Sequence, residues 1–174
     1  MKNIWMAAGM AMVLALGVGI ADAQKKTTKK NTTTKPPVKT VPPLDVRAAR
    51  EKVDVQLSNV NDFVNKLGTI AHGLEVADRD AKAGNLKPET VAKIQAKKKE
   101  IIEAIRNIRT TLLNLESEFR TKPVLQKYLP SIQGITDLAA DSEDKAIAGK
   151  FVDARDPLLS VAGKLTDTLN VLPK

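Results

Sequence analysis

The sequence predicts an all-α protein: an antiparallel up-down-up-down four-helix bundle that follows a signal peptide and a disordered linker. A long two-helix coiled coil capped by a small helical lobe is the alternative arrangement, and the apolar stripes do not decide between the two. Three observations support this fold class. Apolar residues recur at helical spacing through most of residues 44–174, Gly and Pro separate these stretches, and aromatic residues make up only 3% of the chain, so the core must be aliphatic. The length of 174 residues allows one domain of ordinary size.

Residues 1–23 have the pattern of a cleavable signal peptide. Lys2 precedes an uncharged, largely apolar run at 4–20, and Ala21-Asp22-Ala23 places small residues where a signal peptidase reads them. We therefore predict cleavage between Ala23 and Gln24 and a periplasmic or secreted protein. The alternative is an uncleaved N-terminal anchor, because the run approaches the length that spans a bilayer. The chain has no Cys, so its fold uses no disulfide and it carries no lipoprotein anchor.

Residues 24–43 read as a disordered linker rich in Lys, Thr and Pro. Such a composition buries too little apolar surface to offset the entropy of ordering. The linker has no acidic residue, and its six lysines are candidate contacts to a polyanion: Lys25, Lys26, Lys29, Lys30, Lys35 and Lys39. The alternative is a solvated tether whose charges salt would screen. Residues 44–174 carry 21 basic and 19 acidic residues, a near balance that argues against a specific nucleic-acid face on the folded domain.

A heptad stripe predicts a long first helix from about Asp45 to Lys82. Apolar residues recur every seven positions at Val46, Val53, Val60, Leu67 and Leu74. A second set fills the intervening positions: Ala49, Phe63, Ile70 and Ala77. Gly68 and Gly73 lie inside this helix, where each costs about 1 kcal/mol relative to Ala, so we expect a bend or a close contact with a neighbouring helix there.

The second helix is predicted from Pro88 to about Arg120. Ala83-Gly84-Asn85 is a stop signal, and Pro88 suits a first helical turn. Only Lys98 interrupts its apolar stripe, which comprises Val91, Ile94, Ile101, Ile105, Ile108, Leu112, Leu115 and Phe119.

Two further stripes predict a shorter third helix and a fourth helix, each interrupted by Pro. The third stripe comprises Leu125, Tyr128, Leu129, Ile132, Ile135 and Leu138, and Pro130 inside it should kink the helix or mark its start. The run 141–144, Asp-Ser-Glu-Asp, is typical of a helix start and is predicted to cap the fourth helix. Pro157 predicts a kink or a split in the fourth stripe, which comprises Ile147, Phe151, Ala154, Leu158, Val161, Leu165, Leu169 and Leu172.

Three polar groups of the predicted helices are candidate sites. His72 and Glu75 form an H-x-x-E pair, but a metal site needs three or four ligands and no second His exists. The acidic residues Asp137, Asp141, Glu143 and Asp144 lack the spacing of a calcium loop, so helix capping is the preferred interpretation. The run 97–99, three lysines, is interpreted as a solvated helix face. Because nucleophile and phosphate-loop motifs are also absent, we predict no enzymatic activity, catalytic residue, metal or cofactor.

The predicted last helix contains the sequence AGKFVDARDPLLSVAGKL at 148–165. A signal peptide followed by four helices, the last of this kind, resembles the periplasmic cytochrome b562 and cytochrome c-prime bundles. The haem residues of those families do not carry over. The chain has no C-x-x-C-H motif, no His in the last helix and, after cleavage, no Met to act as an axial ligand. The resemblance therefore implies a scaffold without the cofactor, which would carry a small apolar ligand.

From these observations we expect a non-enzymatic exported protein with a structural or protein-interaction role in the cell envelope. It would bind a protein partner or associate with itself through its first two helices. Four apolar residues flank the stripes and are candidates for that contact: Leu57, Val64, Ile102 and Leu113. Two alternatives stay open, namely an anionic-polymer or membrane-surface binding module that acts through the basic linker, and the ligand-carrying scaffold.

Overall fold

A computed structural model describes residues 42–174. The predicted signal peptide and almost all of the predicted linker lie outside the described residues. The described part is 83% helical and contains no strand, which confirms the all-α prediction. Its six helices are α1 (Leu44–Lys82), α2 (Pro88–Thr121), α3 (Pro123–Gln126), α4 (Leu129–Ile132), α5 (Ile135–Ile147) and α6 (Arg155–Val171).

Helix α1 buries the heptad stripe that predicts it. Its 39 residues extend about 58 Å at 1.5 Å per residue. All five residues of the seven-residue repeat are buried, whereas Phe63 and Ala77 of the second set are half-buried and Ile70 is exposed. At Gly68 the expected close contact is present: a Cβ there would lie 2.9 Å from Cζ of Arg155. No such neighbour approaches Gly73.

Helix α2 begins and ends within one residue of its predicted bounds. Gly84 has a φ of 76°, a left-handed conformation that glycine adopts without strain, and Pro88 occupies the first turn of α2. The helix ends at Thr121, since Pro123 follows closely. Its stripe faces inward, with only Val91 and Ile108 half-buried.

The predicted third helix is three shorter pieces. Pro130 lies in the first turn of α4 and so marks a helix start, one of its two expected roles. Gly134, with a φ of 87°, then separates α4 from α5. The third stripe is nevertheless largely internal, with Leu125, Ile132 and Ile135 fully buried.

The predicted start of the fourth helix is wrong. The run 141–144 lies inside α5, and the break comes later, at Gly149 with a φ of 78°. Pro157 neither kinks nor splits α6, because it lies in the first turn of a helix that begins at Arg155. Ile147, at the end of α5, is 57% exposed and does not belong to the buried stripe.

The core lies between the four longest helices. Helix α1 packs against α2 and α6, α2 packs against α5, and α5 packs against α6. Helix α2 packs more extensively on the short α5 than on the long α1. Arg50 of α1 also holds the end of α6, donating hydrogen bonds to the carbonyl oxygens of Leu169 at 2.6 Å and Leu172 at 2.8 Å. Leu169 lies in the last turn of α6 and Leu172 directly follows the helix, where backbone acceptors lack helical partners.

Candidate functional site

The lysines predicted to contact a polyanion, Lys25 to Lys39, lie outside the described residues. The predicted cleavage site between Ala23 and Gln24 does too. The structure therefore bears on the candidate sites of the folded domain only.

His72 and Glu75 do not form a joint site. His72 is exposed on α1. The Oε1 atom of Glu75 instead accepts a hydrogen bond of 2.7 Å from the backbone N–H of Val152, in the turn between α5 and α6. Within residues 42–174, no group of three or more His, Cys, Asp and Glu side chains is close enough together to hold a metal ion.

The four acidic side chains of α5 differ in exposure and in partners. Glu143 is buried and accepts hydrogen bonds from Arg106 at 2.9 Å and Arg109 at 3.1 Å, both on α2. Asp141 is exposed and pairs with Lys145 at 2.9 Å. Asp137 and Asp144 are exposed as well, so these carboxylates do not converge on one cation. Capping does not explain Asp141, Glu143 and Asp144 either, because they lie in the middle of α5, whereas Asp137 lies in its first turn.

The lysine run 97–99 is only partly a solvated face. Lys97 pairs with Glu100 of the same helix at 2.9 Å. Lys98, whose side chain is 16% exposed, reaches across to Asp78 of α1 at 2.7 Å. The one residue that interrupts the apolar stripe of α2 is thus a cross-link between the two long helices.

Three buried carboxylates join neighbouring segments, and sequence reasoning identified none of them as a structural centre. Asp78 accepts hydrogen bonds from Lys82 and Lys98, which lower the pKa of its carboxyl despite burial. Burial alone would raise the pKa of Glu143, but the hydrogen bonds from Arg109 and Arg106 outweigh it and lower the pKa. Lys82 is four positions from Asp78, but the partners on other helices are 20 to 37 positions away in sequence, which is beyond the reach of helical periodicity.

Glu116 is the third of these carboxylates. It accepts hydrogen bonds from Arg120, from the backbone N–H groups of Gly134 and Thr136, and from the Thr136 hydroxyl at 2.8 Å. Burial would raise the pKa of Glu116, and these hydrogen bonds lower it below its ordinary value. The only sequence signal for this role is that Glu116 directly follows Leu115, a residue of the apolar stripe that the structure buries.

The four apolar residues predicted to form a contact surface differ in exposure. Val64 is buried in the core, so its assignment to a contact surface is wrong. Leu57 and Ile102 are partly buried against the core. Leu113 alone is largely exposed, at 53%.

A groove lies between α1 and α2 in the described domain. We call it the outer groove; its volume is about 520 Å³ and it opens to solvent. Two polar contacts cross between the helices here: the Lys52–Glu118 ion pair and a 3.0 Å hydrogen bond from the Thr111 hydroxyl to Gln56. Val55 faces the groove and is 50% exposed. The lining is Ala48, Glu51, Lys52, Val55, Gln56, Thr111, Asn114, Leu115 and Glu118.

Two smaller grooves of about 190 and 340 Å³ lie further along the same pair of helices. Their apolar lining belongs largely to the second set of residues in the α1 stripe and to the facing residues of α2: Phe63, Leu67, Ile70, Leu74, Ala77, Ile94 and Ile101. Sequence periodicity identified these residues as apolar but could not tell that they border a groove.

Comparison with known proteins adds no functional information. No family model, curated protein or solved structure matches this chain. Among residues 42–174, no helix is long and apolar enough to cross a membrane.

Proposed function

We propose that this chain is a non-enzymatic exported protein of the cell envelope that binds a protein partner through the α1–α2 face. The observation that carries the proposal is the outer groove. It combines the half-exposed Val55 with an apolar floor at Leu115, and it has polar side chains along its rim. Apolar centres with polar rims are typical of protein interfaces.

The form of the groove favours a helix as the bound element. The groove lies between two helices and opens to solvent, and two smaller apolar grooves lie further along the same pair. An amphipathic helix places apolar residues at i, i+3, i+4 and i+7 into such a groove. A small apolar ligand would instead be favoured by an enclosed cavity.

A scaffold role is supported by how the buried charges are used. Asp78, Glu116 and Glu143 each have cationic partners and lowered pKa values. A general acid at neutral pH would need a raised pKa, so these carboxyls are suited to structure and not to proton transfer.

For the arrangement of helices we propose the up-down-up-down four-helix bundle, with α3, α4 and α5 together forming its third arm. Cross-helix contacts support it. Asp45 near the start of α1 pairs with Lys122 after the end of α2, whereas Asp78 near the end of α1 pairs with Lys98. Gly68 of α1 lies against Arg155 at the start of α6, and Arg50 contacts the end of α6.

The test of function uses a photo-crosslinking amino acid in place of Val55, in the full chain expressed in its own host. Leu159 of α6, 48% exposed, gives the matched control position. We expect a discrete crosslinked product from position 55 that is absent from position 159. Equal products at both positions, or none at position 55, would contradict the proposal.

Two measurements on the same cells complete this test. Fractionation should place the protein in the envelope or the medium with Gln24 as its first residue, and an intact N-terminus in the cytoplasm would contradict export. The mass of the crosslinked product then shows whether the partner is a second copy or another chain.

A further inference from the structure

The folded domain is nearly neutral as a whole, but its charge is distributed very unevenly. Residues 79–99, which we call the basic end, carry seven cationic and two acidic side chains, a net charge of +5. The rest of the domain, 44–78 with 100–174, carries 14 cationic and 17 acidic side chains, a net charge of −3. The near-neutral total therefore conceals a strongly cationic segment.

The fold gathers this segment at one end of the α1–α2 hairpin. It consists of the last turn of α1, the turn around Gly84, and the first three turns of α2. Six of its seven cations are exposed: Arg79, Lys82, Lys87, Lys93, Lys97 and Lys99. Among residues 42–174, four of them have no ion-pair partner: Arg79, Lys87, Lys93 and Lys99.

We propose that the basic end binds the surface of an anionic phospholipid bilayer. This site is separate from the outer groove and goes beyond the protein-binding function proposed above. Each Lys or Arg side chain near an anionic leaflet is attracted to the lipid headgroups, and segments that bind such surfaces usually carry at least about four of them.

The shape of the basic end favours a flat anionic surface over a polymer strand. A strand is usually held in a basic groove with aromatic residues for stacking. The cleft at this end is lined by as many acids as bases, with Glu75, Asp78 and Asp153 facing Arg79, Lys82 and Lys150. Residues 79–99 contain no aromatic side chain. The unpaired cations instead flank the turn that joins the two helices: Arg79 lies in the last turn of α1, Lys87 immediately precedes α2, and Lys93 and Lys99 lie in α2. A planar array of headgroups against this end of the hairpin can meet several of them together.

The basic end is also distinct from the lysines of the linker. The linker joins the domain at Pro43, immediately before α1. The turn at the centre of the basic end lies at the other end of that helix, which is about 58 Å long. Binding through one of these regions can therefore be tested separately from binding through the other.

The test is co-sedimentation of the mature full chain, residues 24–174, with vesicles of phosphatidylcholine alone or mixed with phosphatidylglycerol. The site variant is Lys87→Gln/Lys93→Gln/Lys99→Gln. The control Lys127→Gln/Lys164→Gln/Lys174→Gln removes the same charge elsewhere on the domain. A third variant, Lys25→Gln/Lys26→Gln/Lys29→Gln, does so in the linker. Circular dichroism establishes that all four proteins are equally helical.

We expect binding that requires phosphatidylglycerol and weakens as salt is raised. The site variant should bind at least about tenfold more weakly than the parent chain, and the control variant within about threefold of it. Equal losses in the site and control variants would overturn the proposal, because net charge alone would then explain binding. The proposal would also be overturned if only the linker variant lost vesicle binding. Binding of the parent chain to soluble polyphosphate but not to vesicles would overturn it as well.

Discussion

The buried carboxylate of Glu116 accepts hydrogen bonds from three residues: Arg120, Gly134 and Thr136. Helix α5 has no capping side chain of its own, since Gly134 precedes it. The Glu116 carboxylate takes that role from α2, accepting hydrogen bonds from the backbone N–H groups of Gly134 and Thr136, both at 3.2 Å. A negative charge near a helix N-terminus is also favoured by the helix dipole. One side chain thus fixes where α5 begins and how it lies on α2.

Replacing this carboxylate should be costly for the fold. We expect Glu116→Ala to lower the free energy of unfolding by about 3 kcal/mol, because it removes a buried, hydrogen-bonded charge and leaves partly buried donors at the start of α5 without an acceptor. The matched control is Glu118→Ala, two residues along the same helix. Glu118 forms a more exposed pair with Lys52, so its loss should cost less than about 1 kcal/mol. Urea denaturation at neutral pH measures both, and similar costs for the two variants would contradict the capping role.

At the scale of the helices, the break between α5 and α6 depends on Gly149. Its φ of 78° lies in the left-handed region, where a Cβ is strained. Gly163 offers a control within α6, because it lies in regular helix and a Cβ there would meet open space.

The two glycines should therefore respond to alanine with opposite signs. Gly149→Ala should lower the free energy of unfolding by about 1–2 kcal/mol. Gly163→Ala should raise it by about 0.5–1 kcal/mol, since alanine loses less backbone entropy on folding. Thermal or urea unfolding of the two variants measures the difference. A stabilising Gly149→Ala would mean that the turn does not require the left-handed conformation.

Sequence reasoning succeeded for the helices whose signals are local. The repeat from Val46 to Leu74 and the Gly84 and Pro88 signals predict α1 and α2 almost to the residue. It failed at residues 141–154, where the acidic run reads as a helix start. That run continues α5, because Glu143 is neutralised by Arg106 and Arg109 of another helix and Ser142 donates a 2.7 Å hydrogen bond to the Ala154 carbonyl. Pairings between distant segments decide such cases, and a single sequence does not display them.

The candidate site shows the same division between local and distant signals. Periodicity identified the apolar residues of α1 and α2, but the outer groove depends on how far apart the two helices lie. Val64 illustrates the error, since it looks like a spare residue beside the stripe and is 2% exposed. The basic end was missed for another reason: the total charge of the domain hides it.

At the scale of the whole molecule, the three buried carboxylates make stability depend on pH. Asp78, Glu116 and Glu143 all have pKa values below their ordinary values in the folded chain. The unfolded chain therefore binds more protons than the folded chain in the acid range. The stabilisation is fully present above the ordinary carboxyl pKa values, near 4, and is lost as the pH falls through the lower values of the folded state.

We accordingly expect the free energy of unfolding to be nearly constant from neutral pH to about pH 5.5 and to decrease steadily below that. Urea denaturation at a series of pH values measures this profile. Glu143→Gln, which is less stable at neutral pH, should lose less on acidification than the parent chain, because one of the titrating groups is gone. Parallel profiles for the two proteins would contradict a lowered pKa for Glu143.

The contact of Arg50 with the end of α6 brings the start and the end of the folded domain close together. Pro173 and Lys174 lie beside the first two turns of α1, next to Arg47 and Arg50. A short peptide could therefore connect Lys174 to Pro43, and new termini could be opened at the exposed turn around Gly84. Such a circular permutant should fold with the same helices. In this permutant the turn between α1 and α2 would be replaced by two chain ends. Any activity that needs an intact turn between Lys82 and Lys87 would then be lost, although the core would still fold.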